Sequence, residues 1–254
     1  QSIYSTLLNP QGKFMFDFIL FKTNDLNEIY LDCDKNRAKQ LLKTLNLYKL
    51  RKNIQISILN KIKTICVYGK DKNIFKILKL NNKEGSAIII DNNVKIIDPR
   101  NKNLGIRIYK FNNKISIMLS KIKSKPISKY EELRINLVIP DCSKDLEVGK
   151  SFLLENNFDK LKAIDFKKGC YIGQENTARQ RYRGTNKKIL AKVKIYGKNL
   201  QNGTKIMYKD RQIGSMRSSI NKIGLVTIRT EVYKESIKNN SKISVLNSYI
   251  KFIN

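Results

Sequence analysis

The chain has 254 residues, 41% of them hydrophobic, and 51 lysines and arginines against 21 aspartates and glutamates, a formal charge of +30. That length suits one large or two ordinary domains with a sizeable core, and the apolar content excludes a disordered chain. No stretch approaches the ~20 apolar residues of a membrane span, and the absence of histidine removes the usual general base, the commonest metal ligand and any Cys-His nucleophile pair.

Apolar residues alternate over residues 3–8 and 14–20 on either side of Asn9-Pro10-Gln11-Gly12, which predicts a β-hairpin with a Pro/Gly turn. Residues 29–32 add a short strand. Ala38, Leu41, Leu42 and Leu45 recur at helical spacing after Asp34, a natural cap, so residues 34–50 are expected to be helical. Residues 54–59 and 62–68 alternate around Asn60-Lys61 as a second hairpin. A helix over 71–80 and strands over 87–90 and 94–97, turning at Asp91-Asn92-Asn93, follow. This order predicts α+β with antiparallel sheet, not a doubly wound fold.

Residues 130–138 read as a helix stopped by Pro140, and 159–165 and 174–182 as further helical turns. From Ile189 the pattern changes to short strands at 189–195, 205–208, 212–215, 223–228 and 243–246, punctuated by glycines, which predicts a small β-barrel. The domain boundary falls at Thr185-Asn186, giving domains 1–185 and 186–254. The positive charge is somewhat denser after this boundary, where the acids are only Asp210, Glu231 and Glu235. It reads as a generally solvated surface, because no basic stripe interleaves with aromatic residues along the chain.

The four cysteines lie far apart with no C-x-x-C pair, which argues against a zinc ribbon or a disulfide framework. Cys33 and Cys66 read as structural, Cys66 as a buried small hydrophobe in Ile65-Cys66-Val67, and Cys142 as a loop residue after Asp141. Cys170 differs. It lies in Lys167-Lys168-Gly169-Cys170-Tyr171-Ile172-Gly173-Gln174-Glu175, followed by Arg179, Arg183 and Gly184. Gly169 and Gly173 bracket the thiol and permit a sharp turn and close approach, and a helix from Gln174 would align Glu175, Arg179 and Arg183 on one face. A following helix N-terminus and neighbouring lysines favour thiolate, so this is a reactive-cysteine environment.

The string K-G-C-Y-x-G-Q-E resembles the signature of the YgfZ family of folate-binding proteins, which includes mitochondrial iron–sulfur assembly factors and is related to the glycine-cleavage T-protein. Tyr4-Ser5-Thr6-Leu7-Leu8-Asn9-Pro10-Gln11-Gly12 and the strand after it resemble the family's N-terminal strand pair. Asp98-Pro99-Arg100 with Leu104-Gly105-Ile106-Arg107 resembles a mid-chain motif, and residues 130–141 and 155–166 resemble the segments leading to the cysteine. The resemblance runs from about residue 4 to about 190. Against the family pattern an opening strand and helix are missing before Ser2, so the sequence reads as a fragment or a processed form.

The resemblance implies T-protein-like antiparallel sheets with helices, then a small C-terminal β-barrel. It implies tetrahydrofolate or a derivative as cofactor, held by Asp17, Arg134 and Glu155, with no permanent metal. Asp17 stands where T-proteins carry two acids, and the loss of one argues against aminomethyl transfer. Arg134 would meet the glutamate tail and Glu155 the pterin amino groups; internal ion pairing or exposed helix charge is the competing reading for both. Cys170 would be a functional thiol within the motif Lys168, Gly169, Tyr171, Gly173, Gln174 and Glu175. The implied role is a folate-binding accessory factor for assembly or repair of 4Fe–4S proteins, tRNA-modifying enzymes among them. Its partners would be iron–sulfur carriers and client proteins, with indirect or weak tRNA association and no membrane, in bacterial cytoplasm or mitochondrial matrix. A folate-dependent aminomethyltransferase or demethylase and an RNA-binding module are the alternatives.

Overall fold

The structure is a computed structural model that describes residues 1–253 apart from 24, 26, 61, 70–72, 91–92, 112–122, 185 and 209. The chain forms two compact units, one of Gln1–Thr6 and Phe16–Lys123, the other of Leu7–Met15 and Ser124–Asn254.

Strands β1 (Ser2–Leu8), β2 (Phe14–Lys22) and β3 (Ile29–Asp32) lie side by side in chain order; most of their residues belong to the first unit, and the hairpin tip with the adjoining strand ends, Leu7–Met15, belongs to the second. Strand β2 buries Phe14, Phe16 and Phe18 on one face and turns Met15 and Asp17 to the other, the period-two pattern seen in the sequence. Each buried phenylalanine contributes about 1.5–3 kcal/mol. Asp34 accepts from the Asn36 amide and caps a single 3₁₀ turn, after which α1 runs over Ala38–Tyr48.

A four-stranded antiparallel sheet follows, ordered β4 (Lys63–Val67), β7 (Ile106–Lys110), β6 (Asn93–Ile97), β5 (Ala87–Ile90). The hairpin expected across residues 54–68 is not seen: residues 54–59 pair with no strand among the described residues, and β4 pairs with β7. Ile56 and Ile58 are half-buried while Ile54 and Leu59 are exposed, so the alternation buries one side only in part and without a partner strand among the described residues. Lys61 at its turn, Asp71 at the expected helix start, Asp91-Asn92 and Thr185 lie outside the described residues. The helix anticipated over 71–80 is α2, Asn73–Ile77.

The D-P-R and G-x-R segments form an ion network. Asp98, 1% exposed, accepts from Arg100 Nε at 3.0 Å and Nη2 at 2.8 Å and from Arg107 Nε at 2.9 Å. Arg107 Nη1 also donates to Asp32 at 3.1 Å, which accepts from the Tyr109 hydroxyl at 2.8 Å. Burial pushes the Asp98 carboxyl up, but the two guanidiniums outweigh it and hold it well below the usual carboxylate range.

In the second unit, α3 (Ile127–Asn136) ends before Pro140, with Val138 in the left-handed region at φ 55°. Cys142 is not in a loop but opens the short helix α4 (Cys142–Asp145), capped by Asp141. The 159–165 segment makes turns without a helix, and α5 spans Gln174–Arg183. An antiparallel six-stranded sheet then follows in the order β12 (Ile243–Val245), β13 (Ser248–Phe252), β8 (Lys188–Tyr196), β11 (Ile223–Arg229), β10 (Arg211–Ile220), β9 (Lys205–Tyr208). Its edge strands β12 and β9 approach each other, so the sheet curls into a nearly closed barrel. Val193, Ile195, Ile206, Met216, Val226, Ile228 and Ile250 fill the interior, with Val232 and Tyr233 of α6 (Thr230–Lys238) packed against them. The fold class is α+β with a C-terminal barrel-like sheet.

Candidate functional site around Cys170

Cys170 is exposed four residues before the start of α5. Its neighbours hold the chain around it in a fixed turn. The Gln174 amide donates to the Tyr171 carbonyl at 3.1 Å, and the Tyr171 amide donates to Gln174 Oε1 at 3.3 Å, a reciprocal pair that closes the turn just after the thiol. On its other side Lys168 Nζ lies 4.6 Å from the centre of the Tyr171 ring. Burial raises the pKa of the Tyr171 hydroxyl, a hydrogen bond with Thr177 opposes the shift, and the Asp165 charge adds to it.

Gly173 anchors this turn to the tip of the N-terminal hairpin. It has φ 82°, and a Cβ there would lie 2.6 Å from the Asn9 carbonyl oxygen and 2.8 Å from Gly12 Cα. Asn176 Nδ2 donates to the Gln11 carbonyl at 3.0 Å, and the Thr177 hydroxyl donates to the Gly173 carbonyl at 3.1 Å. Gly169 behaves differently: a Cβ there would meet nothing within 4 Å. Only the second of the two bracketing glycines is demanded by geometry. Along α5 Arg179 pairs with Glu175 at 2.7 Å, while Arg183 is exposed in the last turn and Gly184 ends the helix at φ 59°. An acid in the first turn and cations in the last both suit the helix dipole.

The other cysteines are less available. Cys142 is buried, and Cys66, expected to be buried, is intermediate. Desolvation raises the thiol pKa of Cys66 and Cys33, with the Asp32 charge adding to it at Cys33. Among the described residues no three His, Cys, Asp or Glu side chains gather as a metal site.

The three residues assigned to folate by resemblance differ in character. Asp17, on β2, accepts from the Tyr4 hydroxyl at 3.0 Å and is partly buried. Glu155 is half-buried in the 3₁₀ turn Leu154–Asn156; burial raises its pKa, against the opposing charges of Lys188 and Lys13 and a backbone hydrogen bond from Lys188. A desolvated carboxylate of this kind fits an amino-group donor. Arg134 does not fit a ligand's carboxylate. It is 3% exposed, and its donors go to Glu131, Asp145, the Ile139 carbonyl and the Ser218 hydroxyl. That is the internal ion pair, and it ties α3 to the barrel strand β10.

No protein-family model matches the chain. Among curated proteins, the mitochondrial iron-sulfur cluster assembly factor IBA57 of Homo sapiens is 26% identical over 239 residues, 91% of this chain and 65% of that protein. The mitochondrial homolog of Dictyostelium discoideum is 27% identical over 226 residues, 80% of this chain and 55% of that protein. Among solved structures, the glycine cleavage system aminomethyltransferase T of Bartonella henselae superposes with a TM-score of 0.72, covering 100% of this chain and 74% of that one at 11% identity. The chain is similar in sequence to these assembly factors and shares the fold of the T-protein structure. It spans between about half and two thirds of the length of the curated relatives named here. Among the described residues, no helix is long and apolar enough to cross a membrane.

Asn176 is not singled out in the sequence, and Gln174 reads there as part of the motif without its bracing role at the turn. Neither carries charge or reactivity, and each acts only through a hydrogen bond to main chain that the fold brings near.

Proposed function

We propose that the protein is an accessory factor for iron–sulfur cluster assembly that presents Cys170 to a cluster, a carrier or a client enzyme, and that binds a reduced folate. The observation that carries this reading is the exposed thiol on a braced turn, in a chain similar across most of its length to proteins named as assembly factors. A thiolate is a suitable soft ligand for iron in transit, and one accessible sulfur permits transient ligation without building a resident cluster. The cluster is cargo on this reading.

Asp17 and Glu155 are the proposed folate contacts, each as a hydrogen-bond acceptor, and Arg134 is a structural support. Supplied folate would bring a one-carbon carrier; the chain's own carboxylates bind and orient it. The clients include 4Fe–4S enzymes, tRNA-modifying ones among them, and the place of action is the mitochondrial matrix or bacterial cytoplasm. The deciding experiment is complementation of cells lacking the corresponding factor, with 4Fe–4S enzyme activity as readout and isothermal titration with tetrahydrofolate alongside it. Restored activity supports the reading; a folded, expressed protein that restores none removes it.

A further inference from the structure

The barrel assembles on its outer face a basic and aromatic patch that no single segment of the sequence contains. In β8 the inward residues Val193 and Ile195 alternate with outward Lys194 and Tyr196, and in β13 the inward Ile250 and Phe252 alternate with outward Tyr249 and Lys251. The register sets Tyr249 opposite Tyr196 and Lys251 opposite Lys194. Lys242, just before β12, places Nζ 4.7 Å from the Tyr196 ring centre, and Lys194 Nζ lies 5.4 Å from it. Tyr249 is 54% exposed.

Like charges directly opposite on neighbouring strands destabilise a sheet, so the Lys194 and Lys251 pairing contributes nothing to the fold. Strands β8, β12 and β13 hold no acidic residue that could neutralise it. Three cations beside two tyrosines, one with its ring open to solvent, match the chemistry of a phosphate backbone carrying unpaired bases. Ser244 faces Tyr249 across the β12 and β13 register and is exposed, which sets a hydroxyl beside the ring where a ribose 2′-OH would lie.

We propose that this outer face of the barrel binds single-stranded RNA, with Tyr249 stacking on a base, Lys194, Lys242 and Lys251 taking phosphates, and Ser244 pairing with a 2′-OH. The proposal is independent of the Cys170 reading, because it uses none of the same residues.

The test is fluorescence anisotropy of the whole chain with a labelled 12-nucleotide oligouridine, over a series of salt concentrations. Tyr249→Ala should weaken binding by about five- to 150-fold, the range for one lost base–aromatic stack. Lys194→Gln with Lys251→Gln should lower the slope of log affinity against log salt by about 1.4, roughly 0.7 for each lost phosphate contact. Both changes lie at solvent-facing strand positions, and circular dichroism checks that the fold persists. A charge-matched control, Lys39→Gln with Lys43→Gln on the exposed side of α1, should leave both quantities unchanged. Equal weakening by the control means the overall +30 field binds RNA non-specifically and overturns the proposal. So does an unchanged affinity for Tyr249→Ala, equal binding of the matching oligodeoxythymidine, or capture by phosphatidylserine vesicles without capture of RNA.

Discussion

Gly12 and Gly173, 161 residues apart, meet backbone to backbone: a Cβ on Gly12 would lie 2.9 Å from the Gly173 carbonyl oxygen, and one on Gly173 would lie 2.8 Å from Gly12 Cα. The hairpin tip and the turn after Cys170 are thereby one structural feature, and the second motif glycine belongs to both.

Gly173→Ala should therefore destabilise the protein by at least about 2 kcal/mol, since it combines a left-handed backbone with contact against main chain that cannot move aside. Gly169→Ala, in open space, should stay within about 0.5 kcal/mol of the parent. Urea denaturation of the two variants distinguishes them; equal stabilities would mean the hairpin tip does not rest on Gly173.

Arg134→Met should cost about 3–5 kcal/mol, because it leaves Asp145 buried without its charge partner. A folded variant with unchanged urea midpoint and weakened folate affinity would return Arg134 to the ligand and contradict the ion-pair assignment.

The extent to which the site and fold were legible depended on whether a signal was local. Strand β2 could be read because Phe14, Phe16 and Phe18 alternate within one segment, and α5 because its glycines and charges mark its ends. Strand β13 and helix α6 were not anticipated. In α6 the β-branched Thr230 and Val232 weaken the helical signal, and Val232 and Tyr233 are fixed only by packing on the barrel. Residues 54–59 show the reverse error, an alternation with no partner strand among the described residues. Arg134 read equally well as ligand or ion pair, because its partners Asp145 and Ser218 are distant in sequence. The basic and aromatic patch escaped for a related reason: its lysines and tyrosines interleave across two strands and a loop, so no window along the chain contains them.

Asp98 ties acid stability to the D-P-R motif. Its carboxyl titrates lower in the folded than in the unfolded chain, so the stability it confers is complete above the unfolded aspartate value of about 3.9 and is lost as pH falls through the folded one. Asp98→Asn should cost about 3–5 kcal/mol at neutral pH and show a shallower decline below about pH 4. Parallel declines in acid titrations of parent and variant would assign acid sensitivity to other carboxylates.

Glu155 has the opposite sign. Its raised pKa means that the ionised form is penalised in the folded state, so stability associated with it is complete below the ordinary glutamate value and is lost as pH rises through the raised one. Glu155→Gln should leave the melting temperature at pH 7 unchanged or higher while weakening tetrahydrofolate binding by roughly tenfold or more, the loss of a charge-assisted hydrogen bond. A stabilised variant with parental folate affinity would remove Glu155 from the binding site and leave it a plain half-buried acid.

Cys170 should be the first thiol alkylated. It is exposed, Cys142 is buried, and burial raises the pKa of both Cys33 and Cys66, which lowers their thiolate fraction near neutral pH. Limiting iodoacetamide at pH 7.5 followed by peptide mass spectrometry should place the first label on Cys170, with Cys66 and Cys142 modified only after denaturation. Cys170→Ser should keep the parent's melting temperature within about 2 °C, since the side chain points into no core, and should retain folate binding. In complementation the same variant should lose most of the recovered 4Fe–4S enzyme activity, because serine supplies no comparable soft anion at this pH. Full complementation by the serine variant, or labelling of Cys66 ahead of Cys170 in the native protein, would contradict a functional thiol and leave the braced turn as architecture alone.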